Sequence, residues 1–302
     1  MADNDLDNEL RAAALARIQQ LQTQFGHRIP VAELAKGFQF HGARAPLWNQ
    51  QRGIFKPRLL GPNGAALSIQ TSIDSPYQDE HDPEAGYFIY KYRGTDPSHA
   101  DNRALHNAML GRRPLIYFVA VDSGVYDAVF PVFIIDDDPV QHQVKLVADQ
   151  PSVGLSFLES DIATNGRAYA TRSVMVRLHQ ERFRRIVLQA YRNQCTICQL
   201  RYLDLLDAAH ILPDVHPKGE PVVPNGLGMC KIHHSAFDAN ILGIDSDARV
   251  HIRTDVLTER DGPMLKHGLQ ELHGATLILP KKLALRPNVE FLAERFAEFE
   301  AA

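Results

Sequence analysis

The chain has little cysteine: three residues in 302, an odd and sparse set. That argues against a disulfide framework. It has no apolar run near the roughly 18–20 residues of a membrane span. Its opening, MADNDLDNEL, lacks the basic start and apolar stretch of a signal peptide. A cytoplasmic protein with no membrane partner is the expectation. Charge of one sign is lacking too. The net charge is −4 at pH 7, so any surface for a polyanion must be local. No internal repeat or low-complexity tract is visible. What remains is ordinary: 45% hydrophobic and 23% charged residues, the composition of a soluble globular protein with real cores. The length implies about two domains.

Leu10, Ala14, Ile18 and Leu21 recur at helical spacing, which predicts a helix over residues 5–25, ended by Gly26. Strands and loops follow. YFIYKYR (Tyr87–Arg93) alternates, and PLIYFVAV (Pro114–Val121) reads as a strand buried on both faces. AVFPVFII (Ala128–Ile135) is a further strand that Pro131 moves towards an edge or a bulge. Asp96–Leu110 fits a capped helix between them. Residues 136–172 read as a loop-rich connection opened by DDDP. Then comes a helix with Val176, Phe183, Ile186, Val187, Ala190 and Tyr191 on one stripe. Its other positions carry Arg172, Arg177, Arg182, Arg184, Arg185 and Arg192 against the single acid Glu181. That is either a solvated face or a phosphate-binding one. A strand pair (ILGIDSDARVHI) and a last helix capped by Asn288 end the chain. The fold class expected is α+β. The organisation is an N-terminal helix (1–26), a strand-rich mixed domain (27–150), a linker (151–172) and a C-terminal domain (173–302).

All three cysteines lie between Cys195 and Cys230. Cys195-x2-Cys198 followed by Cys230-x2-His233 has the ligand spacing of a Cys3His zinc site. The alternative is three buried thiols without metal. His234 and Asp238 stand at i and i+4 on the helix that follows, so they share a face. An imidazole with a carboxylate suits a divalent ion such as Mg2+, Mn2+ or Zn2+. His233 points about 100° away from His234, so one helix can serve two metal sites.

In CTIC…DAAHI…NGLGMCKIHHSAFD, the order His210, Asn225, His234 resembles the HNH endonucleases, whose core is the ββα-metal fold. The likeness is strongest to predicted restriction endonucleases that carry an HNH module at the C-terminal end. It implies that His210 is the general base and that Asn225 holds the loop that orients it. It implies that His234 and Asp238 bind one catalytic Mg2+ or Mn2+ ion, with 5′-phosphate and 3′-hydroxyl products. Many members place a metal ligand immediately before the base, where this chain has Ala209. Asp207, two residues back on the same strand face, is the candidate replacement.

Such a core borrows specificity from an attached domain. Arg177, Arg182, Arg184 and Arg185 are candidates for contacts to the DNA backbone, which position without specifying. Residues 27–150 are the candidate reader, a PUA-like or SRA-like barrel that flips a modified base. Base flipping needs aromatic walls and hydrogen-bonding groups. Tyr87, Tyr90, Tyr92, Trp48, Arg93 and Asp96 qualify by type, and Arg44, Arg52, Lys56 and Arg58 could meet the backbone. The expected protein is a restriction-type endonuclease of double-stranded, modified or foreign DNA, nucleoid-associated and attractive as a homodimer. Two alternatives stay open: a non-catalytic zinc-knuckle DNA-binding protein, and a nuclease gated by a small-molecule or protein effector.

Overall fold

The computed structural model describes residues 2–73, 86–149 and 164–302. Its architecture is mixed α+β in two compact units, Met1–Leu178 and His179–Ala302. Residues 150–163, most of the expected linker, lie outside the described residues. Among the described residues no helix is long and apolar enough to cross a membrane.

In the first unit, α1 (Ala2–Phe25) buries Leu10, Ala14, Ile18 and Leu21, the stripe the spacing predicts. Gly26 ends it at φ 62°. The stripe also hides Arg11, which pairs with Asp7 at 2.8 Å and donates to the carbonyls of Ala66 and Pro114. Burial lowers its pKa to about 10. Next come β1 (Ile29–Pro30), the short helix α2 (Val31–Leu34) and a hairpin of β2 (Phe38–Phe40) and β3 (Ala43–Ala45). The main sheet uses β4 (Ile54–Phe55), β5 (Ser68–Thr71), β6 (Phe88–Lys91), β7 (Leu115–Asp122), β8 (Val125–Asp138) and β9 (Gln143–Ala148). Their spatial order is β4-β5-β7-β8-β9-β6, with β1 also on β8. Among the described residues only the β5–β7 pair is parallel. The sheet curls until its ends meet: the Tyr90 hydroxyl on β6 donates to Gly53 O beside β4 at 2.8 Å, with Gln70 O of β5 at 3.2 Å. Helix α3 (Ala100–Leu110) packs its Ala104, Leu105 and Ala108 into the core formed by this sheet.

Of the edge or bulge that Pro131 predicts, the structure has the irregularity, and two other expectations need correction. Pro131 is not on an edge, because β8 pairs with β7 and with β9. It does sit at a register shift between Leu115↔Val132 and Tyr117↔Val129, where a missing N–H is tolerated. Residues 136–148 are not a loop. The aspartates continue β8, and the chain turns at 139–142 into β9. Asp138 caps that turn through the amides of Val140 and Gln141. Asp136 pairs with Lys145 across the hairpin, and Asp137 accepts from Tyr92 and contacts His106, so the strand can carry its charge. Finally, α3 starts at Ala100, after a turn in which Asp96 accepts from Ser98.

Helix α4 (Thr164–Ala190) begins before residue 173 and contains the division between the units. In its first-unit part Met175 and Leu178 are buried, while Val176 is exposed. The second unit continues through β10 (Leu206–His210), β11 (Gly226–Cys230) and α5 (Lys231–Asp238). It then adds β12 (Leu242–Ile244), β13 (Val250–Ile252), α6 (Thr254–Thr258), α7 (Pro263–Gly268) and α8 (Val289–Glu300). Strands β10 and β11 are antiparallel, running from Leu206↔Cys230 to His210↔Gly226. Together with α5 they make a ββα unit. Phe183 and Val187 of α4, and Tyr191 just past its end, pack onto it beside Leu206, Leu227, Met229 and Phe237. Two glycines allow the approach. A Cβ at Gly226 would lie 2.5 Å from Val187, and one at Gly228 would lie 2.9 Å from Tyr191. Asn288 caps α8 by accepting from the amides of Glu290 and Phe291, as expected.

Candidate active site

The ββα unit sorts its polar residues by direction. Cys195 and Cys198 leave the turn after α4, while Cys230 ends β11 and His233 opens α5. Their ligand atoms all lie within 4.8 Å of one another. His233 Nδ1 is 3.4 Å from Cys195 Sγ and 3.2 Å from Cys230 Sγ, and Cys198 Sγ is 3.9 Å from Cys230 Sγ. No pair is bonded as a disulfide. His233 Nε2 meets Gly268 O at 2.8 Å, which turns Nδ1 towards the sulfurs. Hydrogen bonds from Cys198 and Cys230 hold the Cys195 thiol well below its ordinary range, and Cys198 is pushed up in exchange. Burial opposes a charged His233, but its contacts with Cys195 and Cys230 raise it to about 10. Donors this crowded fit one cation at their centre. Among the described residues this is the one group of three or more metal-type ligands close enough to share an ion.

The next residue of α5 turns away from that cluster. His234 Nδ1 lies 3.3 Å from Asp207 Oδ2 on β10, and its Nε2 lies 3.3 Å from Asp238 Oδ2 one helical turn on. The Asp207 contact raises the His234 pKa, with Asp238 adding to it. His210 ends β10 with its ring stacked on Phe183, centroids 3.9 Å apart and planes 11° apart. Burial lowers its pKa and nearby Asp214 works against that; His234, Asp238 and Asp207 also act on it. Asn225 is fully buried between the loop and the strands. Its Oδ1 accepts from Leu212 N at 2.9 Å, and its Nδ2 donates to Leu212 O and Glu220 O.

Residues 195–245 match the HNH endonuclease family. Two solved structures resemble the chain over most of its length. One is a "Modification dependent TagI restriction endonuclease", at 16% identity, covering 83% of this chain and 86% of that one, with a TM-score of 0.30. The other is the "Type IV phosphorothioation-dependent restriction endonuclease ScoMcrA", at 14% identity, covering 84% and 60%, with a TM-score of 0.24. No curated protein matches the chain.

Around the HNH segment the four candidate arginines divide. Arg184 donates to the carbonyls of Leu203 and Leu206 and lies 3.9 Å from Asp207, so it braces β10. Arg177 is a residue of the first unit, where it pairs with the buried carboxylate of Asp127 at 2.8 Å. Arg182 is exposed and Arg185 half-buried, and neither has a polar partner among the described residues. Asp214 is a site residue that the motif did not reveal. It lies in the loop after β10 with its carboxylate 2.9 Å from His210 Nε2.

In the first unit a cleft of about 380 Å³ opens where the sheet ends meet. Tyr90, Tyr92 and Arg93 line it, but the two tyrosine rings are buried and their hydroxyls are used, by Gly53 O and by Asp137. Trp48 is a core residue set edge-on to Tyr126, and Tyr126 is the partly exposed ring of the cleft. Tyr87 lies under Lys145, and Asp96 is spent on its own turn. Gln70 donates to the carbonyls of Asn49 and Gln50, and its buried Oε1 has no hydrogen bond among the described residues. A second cleft, of about 450 Å³, is lined by Arg52, Lys56 and Arg58. Burial lowers the Lys56 pKa, with Arg103 adding to the effect and Asp101 opposing it, and its ammonium donates to the carbonyls of Gly61 and Pro62. Arg44 instead donates to Ala35 O.

Proposed function

We propose that this protein is a metal-dependent DNA endonuclease of restriction type, acting on modified or foreign DNA. The observation that carries the reading is the convergence of His210, His234, Asp207 and Asp238 on one ββα unit, inside the segment that matches the HNH endonucleases. His210 takes a proton from the water that attacks the scissile phosphorus. A new P–O bond forms as the bond to the 3′ oxygen breaks, that oxygen takes a proton from solvent, and a 5′-phosphate and a 3′-hydroxyl remain. Asn225 holds Leu212 on both its amide and its carbonyl, which keeps the end of β10 in place. His234 and Asp238 are the residues that would hold Mg2+ or Mn2+, and that ion, when bound, neutralises charge on the phosphate and the departing oxygen. Asp207 sits on the other ring nitrogen of His234. The two nitrogens point apart, so Asp207 supports His234 as a hydrogen-bond acceptor rather than sharing its ion. Cys195, Cys198, Cys230 and His233 hold a structural zinc.

We read the curled sheet as a PUA-like or SRA-like barrel and its cleft as the pocket for a flipped, modified base. Tyr126 offers a ring for stacking, and Gln70 Oε1 offers an acceptor for an amino group. Arg52, Lys56 and Arg58 in one unit and Arg182 and Arg185 in the other would meet phosphates. A homodimer would supply a second core for the second strand.

The test is plasmid cleavage with Mg2+ or Mn2+ on unmodified, methylated and hydroxymethylated DNA, with wild type and His210→Ala. Cutting of modified DNA alone is expected, with the mutant slower by about 10²–10⁴-fold at unchanged zinc content. Equal cutting of all three substrates would remove the modified-base reader and keep the nuclease. DNA binding without cutting would favour the non-catalytic protein. Cutting only after a cell extract or small molecule is added would favour an effector-gated enzyme.

A further inference from the structure

The loop after β10 places a carboxylate against the base. Asp214 Oδ1 is 2.9 Å from His210 Nε2, within ion-pair distance but off the axis of a ring N–H. Asp214 is exposed enough to swing into line. Nε2 itself is shut off from solvent and has no hydrogen-bond partner among the described residues. Nδ1 makes no hydrogen bond either among the described residues, and it is not one of the buried unpartnered atoms. The ring face is covered by Phe183. Stacking fixes the plane of the imidazole but not which nitrogen points outward, because a flip within that plane exchanges the two edges.

The loop that carries Asp214 is itself held. Asn225 grips Leu212 by both backbone groups. Pro213 O accepts from His216 N at 2.8 Å, and His216 meets Glu294 of α8 at 3.0 Å. Gly219 closes the turn so tightly that a Cβ there would stand 2.0 Å from Pro213 O. A carboxylate on so constrained a loop, four residues past the base, is placed to choose the ring's orientation.

We infer that Asp214 is a positioning residue for His210: its carboxylate accepts Nε2–H, so that Nδ1 presents its lone pair to the attacking water. The proton leaves water for Nδ1, the resulting imidazolium keeps Nε2–H on Asp214, and no other group changes its proton count. This rests on the nuclease reading above. The other charged groups that act on His210 are Asp207, His234 and Asp238, and both of these carboxylates contact His234.

Asp214→Ala and Asp214→Asn test the role. Asp214→Ala should lower kcat at least ~10-fold with KM unchanged, because the contact is to the base and not to DNA. Asp214→Asn keeps an acceptor oxygen without the charge, so it should recover much of kcat. In both variants the acid limb of the pH–rate profile should move to lower pH, since the carboxylate no longer favours imidazolium. Wild-type kcat and an unmoved acid limb in Asp214→Ala, with zinc retained, would overturn the proposal. Loss of zinc or of the thermal transition in both variants would also overturn it, in favour of a structural role. Ring ¹⁵N spectra of histidine-labelled protein, assigned with His210→Ala, decide the point independently of cleavage. The Nε2–H tautomer should dominate in wild type and give way to a mixture in Asp214→Ala. Equal tautomer populations would overturn the inference even if wild type cuts DNA, and absence of cleavage by wild type would instead count against the nuclease reading.

Discussion

His233 and His234 are adjacent in the chain and have different neighbours. One turn of about 100° sends the first to three sulfurs and the second to two carboxylates. The same principle of local surroundings sets the third histidine. His210 is partly desolvated, which lowers its pKa, and Asp214 only partly offsets the effect. A base works when neutral, so a lowered pKa keeps it competent in more acid solution. The acid limb of kcat/KM should therefore fall below the ordinary histidine value of about 6.5. A limb above 7 in the wild-type pH–rate profile would contradict the assignment of His210 as the base.

At the scale of elements, α4 carries arginines of two kinds. Arg182 and Arg185 are uncommitted, whereas Arg177 and Arg184 are bonded within their own units. Replacing Arg182 and Arg185 together by Ala should weaken DNA binding uniformly across sequences. It should also lower the slope of log affinity against log salt by about 1–2. The melting temperature should hardly change. Arg177→Ala should do the reverse. It leaves the buried Asp127 with His27 as its remaining ion-pair partner, and it should cost roughly 3 kcal/mol of stability with little loss of DNA affinity. Titrating binding at several salt concentrations beside thermal melts separates the two effects, and equal behaviour of the variants would refute the division.

At the scale of the molecule, two units with separate cores predict separate responses to metal removal. The Cys3His cluster ties the turn after α4 to the start of α5, so an ion held there would contribute to the second unit's folding free energy. Chelation with a zinc-selective agent, or Cys198→Ser, should abolish the calorimetric transition of residues 179–302. The transition of the first unit should survive. An unchanged thermogram after chelation would mean that the cysteines are structural thiols without an ion.

The sequence by itself determined which candidate groups the second unit brings together. Cys195, Cys198, Cys230, His210, Asn225, His233 and His234 fall within one short stretch, where strand and helix geometry leave few ways to arrange them. Helices α1 and α8, with Gly26 and Asn288 at their ends, were legible for the same reason: local periodicity and capping are properties of neighbours in the chain. Only the tertiary structure decided what depends on distant partners. The aspartates after Ile135 read as a turn, and they became strand because Lys145, Tyr92 and His106 meet them. Trp48, Tyr90 and Tyr92 are candidates by type for a base pocket; their rings are buried, Trp48 in the core against α1 and the two tyrosines in the core under α3, where they still border the cleft. Asp214 carries no motif, and its place beside His210 comes from a loop pinned by Asn225 and Gly219. Spacing along a chain specifies which groups share a face of one element; which groups meet across elements follows from how the cores close.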